Sequence, residues 1–186
     1  TIPFTEVDIY EGTYVTTKYV VDTSDVDQRF MLVDPRADTT TLTVKIQNSA
    51  TDTSSTTFTK ATDITQLTTS SEVYYLQEVE SGKFEVYFGD GVVSKALSDS
   101  NIVILQYVVT NKSAANGASS FTSPSAIDGV TNVGVTVNTT ASGGAEAESI
   151  SSINLNAPLD YSTQGRAVTA DDFKVYTKKL FANTQA

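Results

Sequence analysis

The side chains best placed to do chemistry lie in the segment FEVYFGDG, which ends at Gly91. Asp90 stands between Gly89 and Gly91 and could offer an oxygen ligand to a cation, with Glu85 close by in sequence. A calcium loop needs several oxygen ligands at short, fixed spacing, and the next acid after Asp90 is Asp99. The spacing therefore favours the alternative, a tight turn closing a hairpin, in which glycine supplies a positive φ.

A second acidic group consists of Asp22, Asp25 and Asp27, which lie within one short segment. These carboxylates could hold a cation weakly. In a chain with this many acids, a solvated loop is the expected state of such a cluster.

The segment QGR contains the remaining polar candidate. Gly165 permits a left-handed turn there, and the guanidinium of Arg166 offers donors either to loop carbonyls or to an acidic partner. The sequence favours an internal clamp for Arg166, with an interface contact as the alternative.

Composition removes most classes of enzyme. The chain has no Cys and no His, so it lacks thiol nucleophiles, thiolate metal sites and the commonest general base near neutral pH. It also has no G-x-S-x-G elbow, P-loop or dinucleotide fingerprint. We therefore expect no enzyme, no cofactor and no metal. A carboxylate-based hydrolase remains as an alternative, because two acids facing each other about 5–10 Å apart suffice for glycoside chemistry.

The charge balance limits the partners. Net charge is −10, from 22 acidic and 12 basic residues. Affinity for nucleic acid depends largely on Lys and Arg that neutralise phosphates, so we expect no nucleic-acid partner. The longest apolar run, Ile102–Leu105, is far shorter than the roughly 20 residues that span a bilayer, and we expect no membrane partner.

The elements that hold these candidates are mainly strands. Alternation of apolar and polar residues predicts strands at Thr41–Gln47, Val73–Phe88 (a hairpin that turns at Glu80–Lys83) and Val133–Val137. Further strands are predicted at Tyr14–Val21, Phe30–Val33 and Ile102–Val109. The strand at Ile102–Val109 is apolar at nearly every position, which predicts a central strand covered on both faces. Short strands without interleaved helices predict an antiparallel β-sandwich-like body or barrel.

Two short helices are predicted after a Ser/Gly linker at Asn138–Gly144. In the first, Ile150 and Ala157 share a stripe, and Pro158 is expected to end the helix. The class is therefore α+β, mainly β, with a β-rich domain at 1–140 and a helical extension at 141–186.

The second helix carries clearer signals than the first. Thr169 is the expected N-cap, with Asp172 at the third helical position as its capping-box partner. Phe173, Tyr176 and Leu180 then share one face.

Two segments carry a resemblance to a known family. The first is GGAEAES…NAPLDYSTQGRAVTADDFKVY, which begins at Gly143, and the second is FGDG, followed by a strand and by Asn116–Gly117. Together they resemble the baseplate J-like family, in particular the baseplate wedge proteins of T-even-like contractile-tailed bacteriophages. The resemblance covers roughly residues 72–180, and residues 1–71 fit more loosely.

The resemblance implies a structural, non-catalytic subunit of the tail baseplate, located in the virion and assembled in the cytoplasm of the bacterial host. It implies contacts with other wedge proteins around the tail hub and a homodimer in the full-length protein. Family members are longer, and this chain does not begin with Met, so we expect a truncated part of a larger protein. Candidates for structural or assembly roles are Gly89, Asp90, Gly91, Gly165, Arg166, Thr169, Phe173 and Tyr176.

The alternative function is that of a β-sandwich binding or adhesion module that recognises a surface glycan or protein. Glycan or cell binding by the isolated chain would favour that alternative, and association with wedge proteins would favour the baseplate.

Overall fold

The structure of the chain is a computed structural model that describes residues 6–123, 125–131, 133–163 and 165–180, leaving out the side chains of 178–180. The chain divides into two compact units, Thr1–Gly144 and Ala145–Ala186. In the described residues, the first unit contains the strands and the second contains two helices.

One sheet of seven strands organises the described part of the first unit. The strands are β1 (Thr13–Val20), β2 (Phe30–Leu32), β3 (Ala37–Gln47), β4 (Ser55–Lys60), β5 (Val73–Glu78), β6 (Phe84–Tyr87) and β7 (Ile102–Val109). Their order is β1-β7-β3-β4-β5-β6-β2. Neighbours are antiparallel except β4 and β5, which run parallel with Thr59 opposite Val73. The predicted class, α+β and mainly β, is confirmed, and the predicted body takes the form of a single sheet.

The edge strands β1 and β2 meet through tyrosine side chains. The Tyr19 hydroxyl in β1 donates a hydrogen bond of 2.7 Å to the Met31 carbonyl in β2. The Val33 N–H, directly after β2, donates to the Tyr107 hydroxyl of β7 at 3.3 Å. Burial raises the pKa of Tyr19, so its hydroxyl stays protonated as a donor. The sheet therefore curls towards a barrel, and side chains rather than a backbone ladder join its two edges.

The core lies inside this curl. Val44, Val86, Val103 and Leu105 are fully buried, and each such side chain contributes roughly 1.5–3 kcal/mol relative to exposure. Phe88 contacts two buried rings edge-on, with ring centroids 5.7 Å from Phe30 and 5.6 Å from Phe58. Phe88 therefore anchors the loop that follows it, Gly89–Ser94, in the core.

Strand β7 is central, between β1 and β3, but the prediction that both of its faces are covered is wrong. Val103, Leu105, Tyr107 and Val109 are buried, whereas the alternate residues are partly exposed. The reason is that a single curled sheet has a core on its inner face only.

Two further differences concern strands. β4 has a polar sequence, STTFTK, whose one buried side chain is Phe58, and it pairs with β3 all the same. The predicted strand at Val133–Val137 is wrong, because its described residues form no strand and Val135 is 41% exposed. Alternation alone does not make a strand without a partner strand to pair with, and both edges of the apolar strand β7 are already paired with β1 and β3.

The second unit contains α1 (Ile150–Thr163) and α2 (Ala170–Leu180). The prediction that Pro158 ends the first helix is wrong, because α1 continues past it. Proline removes one N–H from the hydrogen-bond ladder but has a φ compatible with a helix. Side chains add bonds in the following turn: the Ser162 hydroxyl donates to the Leu159 carbonyl and the Thr163 hydroxyl to the Asp160 carbonyl, both at 2.7 Å. Neither helix has the length and hydropathy needed to cross a bilayer.

Candidate functional site

The loop Gly89–Ser94 forms a tight turn around a buried serine. A Cβ on Gly89 would overlap Ser94 Oγ and lie 2.9 Å from the Ser94 carbonyl oxygen. Ser94 is fully buried, and its carbonyl accepts a 3.0 Å bond from the Gly91 N–H. Gly91 has φ +88°, which is the positive value predicted for this turn. Gly89 is required for a different reason, the close approach of Ser94 at the other end of the same loop.

This loop follows the β5–β6 hairpin, which is itself closed at Glu80–Gly82. The prediction that the glycines close the hairpin is therefore wrong in position. The Asp90 carboxylate accepts a 3.0 Å hydrogen bond from the Val92 N–H, which stabilises the turn. No group of three or more acids among the described residues is arranged to hold a metal ion.

The acids of the 22–27 segment stabilise local turns and do not converge. The Asp22 carboxylate accepts bonds from the Ser24 hydroxyl at 2.6 Å and from the Ser24 N–H at 2.9 Å. The Ser24 side chain, followed by the Ser24 backbone, lowers the pKa of Asp22. The Asp25 carboxylate accepts a 3.2 Å bond from the Asp27 N–H.

A row of three side chains crosses the outer face of the sheet beside the Gly89–Ser94 loop. The Arg29 guanidinium carbon lies 4.2 Å from the centre of the Tyr87 ring, and the Tyr75 ring stacks on Tyr87 at 5.1 Å and 20°. The Tyr75 hydroxyl is 3.3 Å from Ser94 Oγ. Sequence reasoning missed this row. The hairpin register could have paired the two tyrosines, but no local signal brings Arg29 beside them.

Asn116–Gly117, part of the predicted signature, fastens the end of the first unit. The Asn116 side chain donates to the Gly144 carbonyl at 2.7 Å and accepts from the Gly144 N–H at 3.0 Å. The Gly117 N–H donates to the Ala141 carbonyl, and the Ala141 N–H donates to the Ala118 carbonyl, both at 2.8 Å. The side-chain amide extends this small ladder by one step.

In the helical unit, α2 begins with the predicted capping box. The Asp172 N–H donates to the Thr169 hydroxyl at 3.3 Å, and the Asp172 carboxylate accepts the Thr169 N–H at 2.8 Å and the Val168 N–H at 3.0 Å. The Thr169 N–H, followed by the Val168 N–H, lowers the pKa of Asp172. Phe173 is 58% exposed, and Tyr176 is partly exposed.

The turn between the helices has the predicted left-handed glycine, since Gly165 has φ +73°. The Arg166 N–H donates to the Thr163 carbonyl at 2.9 Å, and the Arg166 side chain is exposed. These contacts do not distinguish an internal clamp from an interface contact, so both roles of Arg166 stay predictions.

A groove of about 520 Å³ lies at the start of β1 and is lined by Asp8, Ile9, Tyr10, Gly12, Tyr14, Thr41 and Val108. Asp8 is the one carboxylate in this lining. The groove therefore does not supply the facing pair of acids that glycoside hydrolysis uses.

Comparison with known proteins assigns the β unit to a family. The family model for the third domain of the bacteriophage baseplate wedge protein gp6 matches residues 15–119. Baseplate wedge protein gp6 of Enterobacteria phage T4 is 27% identical over 135 residues, which cover 61% of this chain and 20% of that protein. The chain thus spans about a fifth of the length of that relative.

The family match includes the Gly89–Ser94 loop, the Arg29–Tyr87–Tyr75 row and Asn116–Gly117. The other predicted signature, which begins at Gly143, lies outside the matched residues. Of the seven strands, six lie wholly within the match and β1 loses only its first two residues. The chain therefore belongs to the family of the third domain of the bacteriophage baseplate wedge protein gp6.

Proposed function

We propose that this chain is a non-catalytic structural part of a phage tail baseplate wedge, which holds neighbouring proteins together around the tail hub. The observation that carries the proposal is the family match, which covers the curled sheet except for the first two residues of β1. The name of the T4 relative, a baseplate wedge protein, supports the same role. We retain the wider relationship to baseplate J-like proteins as part of this proposal.

The use of polar side chains supports a scaffold. The carboxylates of Asp22, Asp90 and Asp172 each accept hydrogen bonds from backbone N–H groups of turns or of a helix start. Such bonds stabilise the local backbone. These three carboxylates therefore stabilise the local conformation of the backbone.

The partners proposed are other baseplate wedge proteins and, in the full-length protein, a second copy of the chain, with neither nucleic acid nor membrane. Exposed apolar side chains in α1 favour burial against protein. Ile150 is 77% exposed, Leu155 is 68% exposed and Tyr161 is 84% exposed. The proposed location is the tail baseplate of the virion, after assembly in the host cytoplasm.

Location can be tested by immunogold labelling of intact virions with an antibody raised against the chain. We expect gold at the end of the tail distal to the head, and none with pre-immune serum. Gold on fibre tips, or on the host surface alone, would contradict the baseplate and favour an adhesion module.

Association can be tested by light scattering coupled to size-exclusion chromatography. The full-length protein is mixed in turn with each wedge protein of the same phage. We expect a complex with at least one of them, and no binding of the chain to a glycan array. Glycan binding without any wedge complex would overturn the proposed function.

A further inference from the structure

The row Arg29–Tyr87–Tyr75 has the features of a protein-docking site. Its residues come from the end of the loop before β2, from β6 and from β5, which are neighbours in the sheet. β6 lies between β2 and β5 in the strand order. The Tyr87 ring of β6 is in contact with both other residues: the Arg29 guanidinium carbon lies 4.2 Å and the Tyr75 ring centre 5.1 Å from its centre. The partly exposed side chains of Tyr75 and Tyr87 alternate with the core-facing Leu76 and Val86, so the row lies on the outer face.

The row is held in place from beneath. Phe30, which follows Arg29, is 3% exposed, and Val86, which precedes Tyr87, is fully buried. The Tyr75 hydroxyl lies 3.3 Å from the buried Ser94 Oγ. Side chains fixed in this way lose little conformational entropy when a partner binds, which favours affinity.

Arg29 has no ion pair among the described residues, although the chain has a net charge of −10. The nearest carboxylate by register is that of Glu85, which lies one row further along the same face, opposite Met31 and Gln77. It forms no ion pair with Arg29. The Asp22 and Asp25 carboxylates accept hydrogen bonds within their own loop, and Asp27 forms no ion pair with Arg29 among the described residues. The guanidinium therefore keeps donors on its edge for a carboxylate that the described residues do not provide.

We propose that this row is a docking site for a protein segment that presents a carboxylate beside an apolar side chain. A guanidinium stacked on a ring has a fixed plane and can bind a carboxylate through two parallel N–H···O bonds. Arg and Tyr are also enriched among the residues that dominate binding energy at protein interfaces. The charge of Arg29 sets the sign of the partner group, and the tyrosine edges provide the adjoining apolar surface.

A glycan fits the row less well. Sugar rings stack on an open aromatic face, whereas the Tyr87 ring is already stacked with Arg29 and with Tyr75. The site therefore deepens the proposed assembly function by giving the chemistry of the partner. Only the identity of the partner as a baseplate protein rests on the proposed function.

The test uses peptides, so that its failure would leave the assembly proposal standing. The ¹⁵N-labelled chain is titrated with acetyl-Glu-Phe-Glu-amide and, as the control, with acetyl-Gln-Phe-Gln-amide. We expect saturable shifts of the Arg29 side-chain N–H signal and of the Tyr75 and Tyr87 amides with the acidic peptide only. Raising the salt concentration should weaken them.

Two variants sharpen the result. Arg29→Gln should lower the affinity for the acidic peptide about tenfold, since a hydrogen bond to a charged group is lost. Glu85→Gln should leave that affinity unchanged or raise it, because it removes the competing carboxylate on the same face. Arg29 is exposed, so Arg29→Gln should keep the melting temperature of the parent chain.

Three results would overturn the proposal, and the first two need no variant. One is the absence of saturable shifts at these three residues with the acidic peptide, and another is an equal response to the neutral peptide. The third is an unchanged affinity in Arg29→Gln.

Discussion

Replacing Gly89 with alanine tests whether the loop really depends on close approach to a buried serine. Gly89 does not have a positive φ, so alanine can adopt its backbone conformation. The added Cβ, however, would overlap Ser94 Oγ, and it would lie 2.9 Å from the Ser94 carbonyl oxygen and 3.1 Å from the carbonyl carbon. The hydroxyl can rotate away, but the carbonyl belongs to the backbone and must move.

The size of the effect follows from what that movement breaks. Overpacking a well-packed site costs about 1–3 kcal/mol. The Ser94 carbonyl also accepts the 3.0 Å bond from Gly91, and a net hydrogen bond contributes about 1 kcal/mol. We therefore expect Gly89→Ala to lower the free energy of unfolding by about 2–4 kcal/mol.

Urea denaturation followed by far-ultraviolet circular dichroism measures this difference, with tyrosine fluorescence as a second probe because the chain has no Trp. Gly134→Ala is the matched control: its Cβ would meet no atom within 4 Å and its φ is not positive. We expect the control to stay within about 0.5 kcal/mol of the parent chain. Adding Ser94→Gly to Gly89→Ala should recover part of the loss, because it removes the hydroxyl but not the carbonyl.

A difference of less than about 1 kcal/mol between the free energies of unfolding of Gly89→Ala and Gly134→Ala would contradict this prediction, because a backbone overlap costs more than that. A full recovery in the double variant would show that the hydroxyl alone limits the space.

Four further perturbations test other contacts. Asn116→Ala removes both hydrogen bonds to Gly144, so limited proteolysis with mass spectrometry should show faster cleavage near residue 144. The free energy of unfolding of the sheet should stay within about 1–2 kcal/mol of the parent value. Thr169→Ala removes the N-cap of α2 and should destabilise that helix by about 1 kcal/mol, seen as a loss of ellipticity at 222 nm; equal ellipticity would argue against the cap. The pKa of Asp172 is lowered in the folded chain, so the stability that this carboxylate contributes is present above its unfolded pKa of about 3.9 and is lost as the pH falls through the folded value. An acid titration of ellipticity should therefore be flatter below about pH 4 in Asp172→Asn than in the parent. Arg166→Ala should lower the melting temperature if its side chain clamps the turn, whereas an unchanged melting temperature with lost assembly would assign Arg166 to an interface.

Local patterns were sufficient for most strands. The apolar–polar alternation of β3 and the apolar run of β7 were both signals of this kind. β1 and β7 lie within one residue of their predicted bounds, whereas β3 ends as predicted but begins four residues earlier, at Ala37. The capping box at Thr169 was equally predictable, because its bonds join residues three apart. In such elements the physical cause lies within a few residues, so reading the sequence in short windows is enough.

Elements that depend on distant partners were not predictable in this way. β4 has a single core side chain, Phe58, and becomes a strand because β3 and β5 lie on either side of it. Val133–Val137 has the better alternation and yet forms no strand in its described residues. Pairing, rather than propensity, decides these two cases.

The candidate sites divide along the same line. The glycines at 89 and 91 were predicted as a turn, but the need for glycine at 89 follows from Ser94, whose burial only the fold reveals. The Arg29–Tyr87–Tyr75 row was missed because β2 pairs with β6 across more than fifty residues of chain.

Residue types and short patterns were enough to predict the class of fold, the positions of most strands, the start of α2 and the resemblance to baseplate wedge proteins, which the family match supports. The strand order, the Tyr19 hydrogen bond between β1 and β2 and the stacking of Arg29 on Tyr87 became visible only in the folded chain. The difference lies in the range of the interactions. Side-chain periodicity and capping act over a few residues, whereas strand pairing and the contacts it creates depend on which distant segments bury their apolar faces together.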